Sequence, residues 1–354
     1  MFTSEQKSIW PSRLLTSLLL GIALFFPLSL FGAETEQAAP QTLPAAEFVG
    51  PPIPQTTPQA PPHDRLDSLD ASRNYLSEKI ISFASNMDRF FGNNRNFQES
   101  NNSVLQMDLT RVAGFGGERK YNLAARANLN LPETEGRFHL LLETTPENNV
   151  TDNNVISPTE SPLLRNQVVS PGSYGLATRY ETIVANAWHL STDWGLKFPV
   201  PVTPYVRTRA SYSTPMGGWR IKAAESVYWF NSTGVGETTQ LDEERFLSDP
   251  VLFRATSIVT WLNDTQNFNM RQDLSIFHTM NDRTALMYQA SAIGVSNPQF
   301  QLTDYEVQLL YRYRMHRDWM FFELNPQLHF PKIYNYRYSP ALSMRLEVLF
   351  DGSR

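Results

Sequence analysis

Twelve basic and nine acidic residues recur at alternating positions along the chain: Arg126, Arg179, Lys197, Arg207, Arg209, Arg220, Lys222, Arg254, Arg271, Arg312, Arg314 and Arg345 against Asp108, Glu143, Glu181, Asp193, Asp273, Asp304, Glu306, Glu323 and Glu347. Alternate residues of an extended chain share one face, so these groups confront one another on neighbouring segments. Opposite charges crowded this way either cross-link as ion pairs or, with water between them, create a field whose slight cationic excess weakly favours anions. Arg207 and Arg209 beside Arg220 and Lys222 make the densest basic patch and the natural place for an anionic solute. Catalytic chemistry has thinner support. His189-Leu190-Ser191 sets a base and a hydroxyl two residues apart on one strand face, the pairing that nucleophilic catalysis uses. His63, His139, His278, His316 and His329 show no metal-ligand spacing on one strand face. Gly234-Val235-Gly236 reads as a turn rather than a phosphate cradle, because no helix follows it. No catalytic residue, metal or other cofactor is expected.

The elements that must position these charges are strands. From Ser103 to Phe350 the apolar period is two. Trp188, Leu190, Thr192, Trp194, Leu196 and Phe198 share one face, with His189, Ser191, Asp193, Gly195 and Lys197 on the other. Residues 121–131, 304–314 and 342–350 repeat the pattern. About fourteen strands are expected, near 104–113, 119–131, 137–145, 173–183, 187–198, 205–214, 218–230, 236–246, 251–262, 267–278, 284–294, 303–314, 319–330 and 340–350. Segment 236–246 is mostly polar and Glu225 falls out of phase, which suggests a bulge and leaves twelve strands as the other count. Apolar-face aromatics gather near strand ends (Trp188, Phe198, Trp219, Trp229, Trp261, Phe268, Tyr305, Tyr313, Phe330, Phe350), as interfacial girdles do. The fold class read from this is all-β: an antiparallel transmembrane β-barrel over residues 95–354.

The segments before it have other characters. The 354 residues are 41% hydrophobic and 18% charged, carry net charge −5 and include no cysteine, which excludes disulfides, thiolate metal sites and a lipidated cysteine anchor. An acidic balance gives no reason to expect nucleic acid. Residues 1–33 read as a signal peptide: Lys7 and Arg13, an apolar run from Leu14 to Phe31, then Gly32-Ala33 before acidic residues. An uncleaved anchor helix is the competing reading. Residues 34–63, with Pro51-Pro52, Pro54, Pro58 and Pro61-Pro62, are expected to be a disordered Pro-rich linker. In 64–94, Leu66, Leu69, Leu76, Ile80, Phe83, Met87 and Phe90 recur at three- and four-residue steps, with Arg73 in the missing place. This predicts an amphipathic periplasmic helix that docks on or inside the barrel, self-associates, or lies on a membrane surface.

With its C-terminal strand ending in aromatic Phe350, the chain resembles Gram-negative outer-membrane β-barrel proteins over roughly residues 100–350. The resemblance implies outer-membrane lipid and the barrel-assembly machinery as partners, although Asp351-Gly352-Ser353-Arg354 depart from the usual terminal aromatic. It further implies that odd-numbered connections lie outside and even-numbered ones in the periplasm. Outer-membrane phospholipase A enzymes carry a similar His-x-Ser pair followed by Asn-Gly, but here Thr192-Asp193 stand in those places. The reading from sequence is a narrow or gated channel for small hydrophilic, slightly anion-favoured solutes, with the helix as plug or as docking element for a periplasmic partner. The alternatives are a non-conducting structural or assembly protein working through the helix, and a lipid-active enzyme.

Overall fold

The computed structural model describes Phe90 and residues 103–115, 117–131, 137–144, 146, 173–185, 187–198, 201–231, 234–317 and 319–351. The expected signal segment and linker lie outside these residues, as does the expected helix apart from Phe90. Fourteen strands follow in order: β1 (Val104–Gly114), β2 (Gly117–Asn130), β3 (Phe138–Thr144), β4 (Tyr174–Ala185), β5 (Trp188–Phe198), β6 (Thr203–Met216), β7 (Trp219–Phe230), β8 (Gly234–Ser248), β9 (Val251–Leu262), β10 (Asn267–Asn281), β11 (Thr284–Val295), β12 (Gln301–His316), β13 (Met320–His329) and β14 (Ser339–Asp351). Each pairs antiparallel with its sequence neighbours, and β14 closes on β1 from Val104↔Asp351 to Gly114↔Ala341. Closure leaves no strand edge unpaired, which a sheet in hydrocarbon requires.

Side-chain alternation turns the ring inside out relative to a soluble protein. Trp188, Leu190, Trp194, Leu196 and Phe198 point outward and are exposed, while Ser191, Asp193 and Lys197 point inward and are buried. The connections β1–β2, β3–β4 and every second one after them share one end of the ring, the loop end. The remaining turns share the other, the turn end. The longest connection, from Thr144 to Tyr174, belongs to the loop end.

Three expectations change. The expected fourteen strands are present and the alternative count of twelve falls away, because polar segment 236–246 is the interior of the full-length strand β8. Its carboxylates alternate like apolar residues elsewhere: Asp242 and Glu244 inward and buried, Glu237 and Glu243 outward. Glu225 sits at no bulge. The β7–β8 register runs unbroken from Trp219↔Arg245 to Phe230↔Gly234, so Glu225 is in phase and points outward. Gly234-Val235-Gly236 opens β8 rather than forming a turn.

Candidate functional site

The barrel interior is an ion-paired lattice. On the β3–β6 side, Arg179 grips Asp193 with two hydrogen bonds (Nε to Oδ1 2.7 Å, Nη2 to Oδ2 3.0 Å). Arg207 Nε donates a third (2.8 Å). Arg207 then reaches Glu143 through Nη2 (3.1 Å) and the carbonyl of Pro146 through Nη1 (3.2 Å). Across β7–β9, Glu244 accepts from Arg220 Nε (2.6 Å) and Arg254 Nε (2.8 Å). Across β10–β12, Arg271 donates to Asp273 (2.8 Å), Ser291 (3.0 Å) and Glu306 (3.3 Å).

The seam is tied the same way. Arg312 pairs with Glu323 and with Glu347 (Nη2 to Oε1 2.5 Å). Arg345 makes two 2.6 Å hydrogen bonds to Glu323, Gln106 bridges Asp108 and Glu347, and Arg126 donates to Gln106. An ion removed from water is tolerated only with such partners, and the alternation supplies them strand by strand.

Two apolar clusters interrupt the lattice. Towards the loop end lie Leu141, Ala177, Tyr205, Tyr228, Phe230 and Leu262. Tyr205 stacks on Phe230 with centroids 5.0 Å apart. Both tyrosines lie flat over glycines. A Cβ at Gly195 would fall 2.4 Å from Tyr205 Cζ, and one at Gly236 would fall 2.2 Å from Tyr228 Cε2, so only glycine admits the rings there. Towards the turn end, Leu252, Phe277, Ala285 and Met287 pack together, joined by Phe246, Leu310 and Phe90. Phe90 is helical and meets Phe321 edge-on at 5.8 Å, with the Arg314 guanidinium 5.4 Å from its ring.

The twelve cations and nine acids singled out from sequence as one face all point to this interior. Arg126, Arg179, Lys197, Arg207, Arg209, Arg220, Lys222, Arg312, Asp193, Glu306 and Glu347 are buried; Arg314 is partly buried. The Arg207–Lys222 patch is not bare charge. Asp193 and Glu143 hold Arg207, Glu244 holds Arg220, Arg209 donates to Ser226 Oγ (3.0 Å), and Lys222 stands opposite Asp242 in register. Asp242 and Glu244, overlooked in the polar strand, raise the inward acids to eleven against the twelve cations among the described residues. His189 and Ser191 also face inward, and His189 Nε2 lies 3.6 Å from Glu181 Oε2, with His139 Nε2 3.4 Å from the same oxygen. Among the described residues no group of three or more His, Asp or Glu is placed to hold a metal ion. Of the helix face, Leu66, Leu69, Leu76, Ile80, Phe83 and Met87 lie outside the described residues. Sequence reading also missed the inward aromatics Tyr205, Tyr228 and Phe230. The outward Trp229 between the last two was the available signal.

The exterior decides the setting. Trp219 and Trp229 cap the outward row of β7, about 25 Å apart along the barrel axis for a strand tilted by roughly 40°. Trp188, Phe253, Trp261, Phe268 and Tyr305 sit at other outward strand ends, with leucines, valines and isoleucines between the two levels. The architecture is that of a Gram-negative outer-membrane β-barrel.

No family model and no curated relative matches the chain. Among solved structures, this outer-membrane barrel is similar to a loop-deletion variant of OmpT, an outer membrane protein of Vibrio cholerae: 10% identity, TM-score 0.43, covering 70% of this chain and 97% of that one. It is also similar to OprB of Pseudomonas putida, with 12% identity, TM-score 0.43, and coverage of 73% and 97%. A third is the outer membrane channel DcaP of Acinetobacter baumannii, with 9% identity, TM-score 0.39, and coverage of 70% and 96%.

Proposed function

We propose that the protein is a non-enzymatic, gated outer-membrane channel for small hydrophilic solutes. The observation that carries this reading is the polar interior. It is lined with charge from the Asp304–His329 pair near the loop end to Arg312 near the turn end, the kind of lining a path for hydrophilic solutes needs. Among the described residues twelve inward cations face eleven acids, so a preference for anions rests on the local Arg207–Lys222 patch once its carboxylates are displaced. Phe90 against Phe321, Arg312 and Arg314 supports the helix at 64–94 as the plug, docked at the turn end. The test is single-channel conductance of the full chain beside Phe90→Ala and a 34–94 deletion. Conductance that is rare in the full chain and longer-lived in both variants supports the gate.

The second reading is a non-conducting structural or assembly barrel acting through its helix on a periplasmic partner. The completeness of the ion pairing around Asp193 and Glu323 favours it, since these contacts rigidify an interior that need never open. Silence of all three forms, with the folded-barrel gel shift retained, decides for this reading and against the channel.

A further inference from the structure

The outward face is not uniformly apolar. On β7 the outward row below Trp229 runs Val227, Glu225, and on β8 the row below Val235 runs Glu237, Thr239. On β9, below Trp261, it runs Val259, Ser257, and on β10, below Phe268, it runs Met270, Gln272. Glu225, Thr239, Ser257 and Gln272 thus occupy the second outward position below the loop-end girdle on four adjacent strands. They form one belt at a single depth, about 10 Å inside the girdle for 3.3 Å per residue and a tilt of roughly 40°. Outward alanines flank it at Ala223, Ala255, Ala290 and Ala292. The far side of the ring carries Met107, Leu109, Leu342, Met344 and Leu346 instead.

Polar groups facing hydrocarbon need partners, and small residues with polar neighbours are what let protein surfaces associate within lipid. The belt is half-satisfied. Thr239 Oγ1 donates to Glu225 Oε2 (2.7 Å), and Ser257 Oγ donates to Gln272 Oε1 (2.5 Å). Gln272 therefore has its acceptor engaged and its amide N–H groups left to give, with only a long contact to the Asp273 carbonyl (3.3 Å). Glu225 can only accept while ionised. We propose that this belt is the contact surface for a second copy of the chain. A two-fold axis along the membrane normal, passing between β8 and β9, sets β7 of one copy against β10 of the other at equal depth. The Gln272 amide of each then donates to the Glu225 carboxylate of its neighbour, and the alanines let the two walls close. A two-fold contact needs a self-complementary surface, and the order acceptor, hydroxyl, hydroxyl, donor across β7–β10 is self-complementary. The assignment holds whether or not the barrel conducts.

The chain has no cysteine, so a single introduced thiol reports contact directly. Full-length Val259→Cys, beside the axis, and Leu109→Cys, on the far side, are reconstituted separately in vesicles at high lipid excess and treated with a short bismaleimide. Val259→Cys is expected to give a cross-linked dimer and Leu109→Cys a monomer. In the Val259→Cys background, Glu225→Leu or Gln272→Glu should cut the dimer at least tenfold while the gel shift of a folded barrel remains. The exchanged pair Glu225→Gln/Gln272→Glu should restore it. Equal yields at both thiols, no dimer from Val259→Cys, adducts only with other proteins, or a folded exchanged pair that stays monomeric would each overturn the proposal.

Discussion

Replacing Asp193 by Asn changes one atom and unbalances a buried cluster. Arg179, Arg207, Asp193 and Glu143 carry two charges of each sign, all buried. Asp193 accepts two hydrogen bonds from Arg179 and one from Arg207 Nε, and Arg207 Nη2 lies 2.7 Å from the same Oδ2. An asparagine in the same rotamer turns one accepting oxygen into a donor facing a guanidinium. At least one charge-assisted bond is lost, worth about 1.5–3 kcal/mol. The cluster is also left with two guanidinium charges against the single carboxylate of Glu143, which serves Arg207, with Glu181 3.9 Å from Arg179. Breaking a buried pair from one side costs about 3–5 kcal/mol, so Asp193→Asn should destabilise the barrel by that amount. Adding Arg179→Met removes the excess cation and should recover more than half of the loss. Reversible urea unfolding in lipid vesicles, followed by tryptophan fluorescence and by the heat-dependent gel shift, measures both. A loss below about 1 kcal/mol for Asp193→Asn, or no recovery in the double variant, would refute the idea that these charges are held dry by one another.

The glycine cradles give a steric test: Gly195→Val or Gly236→Val should cost about 1–3 kcal/mol by driving Tyr205 or Tyr228 from its seat. Urea midpoints compare both with the parent chain. Sidedness is tested by Leu274→Arg, outward at mid-span, expected to cost about 2–4 kcal/mol, against Val235→Arg at the girdle, expected to cost about 0–1 kcal/mol. Arg312→Met leaves Glu323 and Glu347 to share the single cation Arg345 and should destabilise by about 3 kcal/mol or more, with Glu347→Gln recovering part of it in the same assay.

Strand existence and facing were readable wherever hydropathy alternates, as in β5, where Trp188 to Phe198 separate cleanly from His189 to Lys197. β8 hid because charge occupies both of its faces. Hydropathy cannot distinguish Asp242 and Glu244, which enter the ion lattice, from Glu237 and Glu243, which face outward; only the register against β7 and β9 does so. Glu225 looked misphased for the same reason: a carboxylate on the lipid side contradicts the pattern locally and makes sense beside Thr239 on the next strand. Pairing identity was equally hidden. The inward charges were foreseeable, but that Asp193 serves both Arg179 and Arg207 depends on cross-strand geometry that no single strand contains.

The seam between β1 and β14 carries a consequence for assembly. Before closure, Arg345 and Glu347 pair with each other and with partners on β13 and β12, while Asp108 and Arg126 sit at the opposite margin of an open sheet. Meeting in register brings Arg345 Nη1 to 3.9 Å from Asp108 and sets Gln106 between Asp108 and Glu347. A slip of one residue would turn Arg345 and Glu347 towards lipid and bury Met344 and Leu346 in their place. Ring closure and charge neutralisation are therefore one event, and the seam proofreads its own alignment: the misaligned ring is the one that leaves ions in the bilayer.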